Sequence, residues 1–128
     1  MSARAPRVLV VDDEPAIREL LVRALGEVGY EVVAVKDGEA GLTAAKRAEL
    51  PYDLVVTNSY MPSLSGEQLI GHLRKLYPGL PILHLDDLAH PIGPNAQSVP
   101  TLYKPFSIDA LLEAVARSLE ERVKRAQA

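Results

Sequence analysis

Apolar and polar positions along this chain follow two alternating periods. Arg7-Val8-Leu9-Val10-Val11 is nearly all apolar, as expected for a strand covered on both faces in a parallel sheet. Pro15 suits the first turn of a helix. Ile17, Leu20, Leu21, Ala24, Leu25 and Val28 then recur at helical spacing, and Gly29 is a stop. Glu31-Val32-Val33-Ala34-Val35 predicts a second strand, and Asp37 caps a helix running from about Gly38 to Ala48 with Leu42 inward.

The alternation continues. Asp53-Leu54-Val55-Val56-Thr57 predicts the third strand. Ser65 and Gln68 have capping-box spacing, and Leu69, Ile70, Leu73 and Leu76 follow on one face. Pro81-Ile82-Leu83-His84-Leu85 is the fourth strand and Thr101-Leu102-Tyr103-Lys104 a short fifth. Ser107 caps a last helix whose Ile108, Leu111, Leu112, Val115, Leu119 and Val123 face the core. One stretch breaks the rhythm. Between Asp86 and Lys104, Pro91, Pro94 and Pro100 interrupt any helical stripe. Residues 87–100 therefore read as a loop with at most one short turn after Asp86.

Alternating strands and helices imply an α/β fold: a doubly wound, five-stranded parallel sheet with right-handed crossovers. In such folds ligands bind at the carboxyl ends of the strands. Asp12, Asp13, Asn58, Asp86 and Lys104 all fall there.

Bulk properties narrow the function. The 128 residues fit one domain, with a core of about residues 6–123. A hydrophobic share of 48% builds one core, and no apolar run is long enough to span a bilayer. The N-terminus has no apolar segment of the kind a signal peptide needs. The absence of cysteine excludes disulfides and thiolate metal sites and fits a cytoplasmic protein. A net charge of -3 argues against a nucleic-acid partner. The basic residues Arg122, Lys124 and Arg125 read as complements to a helix dipole. The three histidines, His72, His84 and His90, are not at metal-ligand spacing. His84 reads as a core residue, His72 as exposed, and His90 lies in the irregular loop near Asp86. No nucleophile–base pair, P-loop or dinucleotide turn marks an enzyme.

Val8-Leu9-Val10-Val11-Asp12-Asp13-Glu14-Pro15, then Tyr60-Met61-Pro62, then Lys104-Pro105-Phe106 together resemble the receiver domain of two-component response regulators. The resemblance covers nearly the whole chain and implies a flavodoxin-like, CheY-like fold. It also implies phosphotransfer from a histidine kinase to an aspartate with Mg²⁺. Asp12 and Asp13 match the acidic metal-binding pair, and two converging carboxylates call for a cation or proton. The resemblance adds the Tyr60 backbone carbonyl as a further metal ligand and Lys104 as the phosphate-contacting lysine. It makes the Lys104–Pro105 bond cis.

The chain departs from the family at several positions. Asn58 stands at the phosphoacceptor position. An amide there is no nucleophile and carries no charge for a metal, so Mg²⁺ is expected to bind weakly or not at all. Asp86 replaces the hydroxyl residue that reads the phosphoryl group, and Thr101 replaces the aromatic switch. Tyr103, on the same side of the strand, is a partial substitute. The paired exchange suggests an Asp86–Lys104 salt bridge; the other reading is a solvated Asp86 capping a short turn. The expectation is a stand-alone, atypical receiver that is not phosphorylated. It would act by contact with a histidine kinase, another regulator or a second copy, with no nucleic acid or membrane. Its rivals are phosphorylation at Asp12, Asp13 or Asp86, and a metal or small-ligand sensor built on the acidic pocket.

Overall fold

The structure is a computed structural model that describes residues 4–87 and 93–127, with side chains up to residue 121. Five parallel strands form one sheet in the order β2-β1-β3-β4-β5. They are β1 (Arg7–Val11), β2 (Glu31–Val35), β3 (Leu54–Asn58), β4 (Ile82–Asp86) and β5 (Thr101–Tyr103). The helices are α1 (Pro15–Glu27), α2 (Gly38–Arg47), α3 (Gly66–Leu76), α4 (Pro94–Gln97) and α5 (Ile108–Gln127). The expected doubly wound sheet is thus present. β3 and β4 each begin and end one residue later than the apolar runs suggest.

Alternate side chains of the sheet feed two cores. Val8, Val10, Leu54, Val56, Leu83 and Leu85 pack beneath α1 and α5 with Leu21, Leu25, Leu111 and Val115. Leu9, Val11, Val55 and Ile82 meet Leu69, Ile70, Leu73 and Ala96 on the other face. The inner strands β1, β3 and β4 are buried on both sides, which explains their unbroken apolar runs, while the edge strands β2 and β5 are only partly covered.

The caps fall where the sequence places them. Asp37 accepts from Ala40 N at 2.7 Å, and Ser107 Oγ accepts from Ala110 N at 3.0 Å. Ser65 and Gln68 form a reciprocal capping box on α3. Gly29, with φ of 99°, ends α1. Some stripe positions lie outside the core. Leu20, Val28, Leu76 and Ile108 are exposed, because the sheet covers a narrower arc of each helix than the apolar pattern marks out.

The irregular segment is not wholly loop. A four-residue helix, α4, begins at Pro94, and the short turn expected after Asp86 falls on residues 88–92, outside the described residues. Its N-terminus is held from another helix: Glu67 of α3 accepts from Asn95 N and Ala96 N, each at 2.8 Å. Both carboxylate oxygens thus satisfy amides that a helix start leaves free. The remainder of the irregular segment, including His90, and the side chains of Arg122, Val123, Lys124 and Arg125 lie outside the described residues.

Candidate functional site

β1 and β3 end beside each other, and β4 and β5 extend the row, so their carboxyl ends form one rim. Side-chain parity decides which residues meet there. Asp12 continues the alternation of Val8 and Val10, and Asn58 that of Leu54 and Val56. Lys104 continues that of Leu102, which packs against the same core. These three point to one side and converge.

Asn58 is the centre of the group. Its Oδ1 accepts from Lys104 Nζ at 3.1 Å. Its Nδ2 donates to Asp13 Oδ1 and to the Tyr60 carbonyl, each at 3.1 Å. The orientation of the amide follows from the chemistry of its neighbours. Lys104 only donates, so it requires the oxygen; Asp13 and the Tyr60 carbonyl only accept, so they require the nitrogen. Asn58 is therefore satisfied by the site itself rather than by loop amides. Gly66 closes the loop over it, since a Cβ there would lie 2.2 Å from the Asn58 carbonyl oxygen.

Asp12 is fully buried, not a solvated loop acid, whereas Asp13 is exposed. Asp12 Oδ1 accepts from Glu14 N at 2.9 Å, while Oδ2 has no hydrogen-bond partner and lies 3.6 Å from Lys104 Nζ. Burial raises the Asp12 carboxyl above its ordinary value. The Glu14 amide and the Lys104 charge act against that rise, and the charges of Asp13 and Glu14 add to it.

The expected Asp86–Lys104 salt bridge is absent. Lys104 pairs with Asp12 and Asn58, and it meets Asp86 through the backbone, where Lys104 N donates to Asp86 O at 2.7 Å. The sheet register explains this. Asp86 lies opposite Tyr103, so Lys104 is one residue out of step and points the other way. Asp86 is not solvated either. It is 1% exposed, and neither carboxylate oxygen has a hydrogen-bond partner. It is therefore not the turn cap considered from sequence.

Asp86 shares its face of β4 with His84, which is fully buried as expected. His84 Nδ1 lies 3.3 Å from Thr101 Oγ1. Burial lowers the His84 pKa, and the negative charges of Asp86 and Glu67 partly offset this. Thr101 thus meets a buried imidazole instead of acting as an aromatic switch, and Tyr103 is 44% exposed rather than packed. His72 is exposed, as expected. Phe106 packs half-buried against the core beneath α1 and α5. The Lys104–Pro105 bond is cis. Sequence reasoning missed Glu67, because a carboxylate that caps a different helix leaves no local spacing signal.

The donor set for a divalent ion is incomplete. Asp12 offers a bare oxygen, but Asn58 Nδ2 already holds Asp13 Oδ1 and the Tyr60 carbonyl. Among the described residues, no three His, Asp, Glu or Cys side chains are grouped to hold a metal. As they stand, these residues do not fit Mg²⁺.

This arrangement on a flavodoxin-like sheet is that of a phosphorelay signalling domain. Residues 8–116 match the response regulator receiver domain, and the chain belongs to that family. It is similar to the transcriptional regulatory protein GlrR of Escherichia coli, with 34% identity over 94% of this chain and 28% of that protein. It is also similar to the probable transcriptional regulatory protein TcrX of Mycobacterium tuberculosis, with 38% identity over 82% of this chain and 46% of that protein. The chain thus spans less than half of either relative. Among solved structures it resembles the response regulator TrrA of Thermotoga maritima in complex with Mg²⁺ and a beryllofluoride. The TM-score is 0.80, with 36% identity over 88% of this chain and 98% of that one.

The family is a signalling domain rather than a conventional enzyme. The expectation of no nucleic-acid partner is drawn from this stretch alone. The curated relatives are transcriptional regulatory proteins over lengths the chain does not span. Among the described residues, no helix is long and apolar enough to cross a membrane.

Proposed function

We propose that this receiver domain takes no phosphoryl group at residue 58 and signals through protein–protein contact. One observation carries the reading: the Asn58 amide engages Lys104, Asp13 and the Tyr60 carbonyl at once. Those are the lysine and two of the three oxygen ligands that the resemblance assigns to phosphate and metal. The neutral amide thus fills the site with hydrogen bonds to the groups around it and supplies no nucleophile.

The other carboxylates are poor alternative acceptors. Asp12 and Asp86 are buried out of a phosphodonor's reach, and the exposed Asp13 has its Oδ1 engaged by Asn58 Nδ2. A metal sensor is disfavoured because Nδ2 of Asn58 occupies the oxygens such an ion would need. The partner class is a histidine kinase, another regulator or a second copy, met in the cytoplasm. A groove of about 680 Å³ between β5 and α5, lined by Leu102, Ala110, Ala114 and Ser118, offers such a partner a surface.

The test is intact-mass spectrometry of freshly purified protein with Mg²⁺ and acetyl phosphate, beside Asn58→Asp. The proposal expects no gain in wild type and one phosphoryl group on the variant. A phosphoryl group on fresh wild type overturns it. A variant that also stays unmodified means that the altered Asp86 and Thr101 positions disable the site beyond the acceptor.

A further inference from the structure

We infer that Asn58 is a self-deamidation site, and that the domain converts its own Asn58 to aspartate by direct hydrolysis. The inference rests on the reading above, in which the unmodified chain takes no phosphoryl group. Three features of the site support it. First, Lys104 Nζ already donates to Oδ1 at 3.1 Å. Water adding to Cγ places negative charge on that oxygen, and a fixed ammonium beside it stabilises the charge as it forms. Second, Nδ2 is held 3.1 Å from Asp13 Oδ1, so a carboxylate stands beside the nitrogen that must leave. Third, the usual competing route is blocked. Asn58 is followed by Ser59, and in a free chain the Ser59 backbone nitrogen attacks Cγ to form a cyclic imide. Here the Ser59 N–H donates to Leu85 O at 3.0 Å, and the preceding strand fixes the backbone.

The step balances with water as the only co-reactant. The water oxygen forms a bond to Cγ, and one of its protons passes to Nδ2 by way of Asp13. The Cγ–Nδ2 bond then breaks and ammonia leaves. The new carboxylic acid gives its remaining proton to solvent. The imide route gives mainly isoaspartate, with the chain rerouted through the side chain. Direct hydrolysis gives only ordinary aspartate in the same backbone position. That carboxylate would stand with Asp12, Asp13 and Lys104 where the family places its acceptor. The domain would then mature with age from a form that takes no phosphoryl group to a phosphorylatable one.

The test uses the full chain, kept folded at physiological temperature in heavy-oxygen water. Peptide mass spectrometry follows the fragment carrying residue 58. A parallel sample is held unfolded in urea. The expected result is faster conversion in the folded chain, one heavy oxygen per event and no isoaspartate. Lys104→Gln should slow it roughly a hundredfold, the scale of losing one oxyanion donor. Asp13→Asn, at an exposed position, should slow it as well, with circular dichroism verifying that both variants fold. Slower conversion in the folded chain than in urea, or isoaspartate as the main product, overturns the inference. So does a rate unchanged in both variants. These outcomes leave the phosphorylation-independent reading of fresh protein intact. Phosphoryl uptake by fresh, unconverted chain would instead overturn that reading.

Discussion

The Lys104 ammonium donates to the Asn58 amide oxygen at 3.1 Å, closer than its 3.6 Å approach to the Asp12 carboxylate. The neutral amide thus takes the shorter contact, and the buried acid Oδ2 is left without a hydrogen bond. Restoring a carboxylate at 58 changes this balance. Asn58→Asp removes the donor to Asp13 and to the Tyr60 carbonyl and adds a third negative charge. Without Mg²⁺ the variant should lose about 1–3 kcal/mol of stability. Adding Mg²⁺ should raise its melting temperature much more than that of wild type. Differential scanning fluorimetry with and without the ion checks both.

Asp12 makes a second case. Its folded pKa is raised from 3.8, chiefly by burial. The folded state therefore holds this proton more tightly than the unfolded chain. The stability this contributes is full below 3.8 and is lost as pH rises through the folded value. At neutral pH the ionised group is a burden on the fold. Asp12→Asn should melt higher than wild type at pH 7, and the difference should shrink on acidification. Thermal melts across a pH series measure it.

His84 has the opposite sign. Its folded pKa is lowered from 6.5 by burial. The neutral ring's contribution is present above 6.5 and is lost as pH falls from there through the folded value, because the unfolded chain takes up the proton first. Urea denaturation should show falling stability below that pH. His84→Leu, of similar volume, should flatten this part of the profile.

Glu67 offers a local test. Its carboxylate accepts from Asn95 N and Ala96 N, so Glu67→Ala strips both amides of their acceptor. The expected cost is about 1–2 kcal/mol, the usual range for a lost cap. Hydrogen exchange should quicken at residues 94–97 while β1 and β3 stay protected. Faster exchange throughout the sheet would mean that Glu67 supports more than α4.

How far the sequence reaches can be judged from particular residues. Long apolar runs and local caps fix elements because their signals lie within a few positions, as at Ser65 with Gln68 and at Asp37. Asn58, Asp12, Asp13 and Lys104 were legible as a group because parallel topology brings strand ends together. The pairing within the group was not. Lys104 meets Asn58 and not Asp86 because of a one-residue parity in the β4–β5 register, and a segment with three prolines hides that register. The burial of Asp86 was equally out of sight. Composition marks it as a strand-end acid, and only the fold buries it beside His84 on one face of β4.

Glu67 also bears on how short helices should be recognised. Gly93-Pro94-Asn95-Ala96-Gln97 contains a helix-compatible proline but no side-chain cap of its own. The acid that completes it comes from α3, 28 and 29 positions away in the chain. Cut out as a peptide, the segment would have nothing to receive its first amides and would not stay wound. α4 is a borrowed turn, and any rearrangement that draws α3 away takes the helix with it.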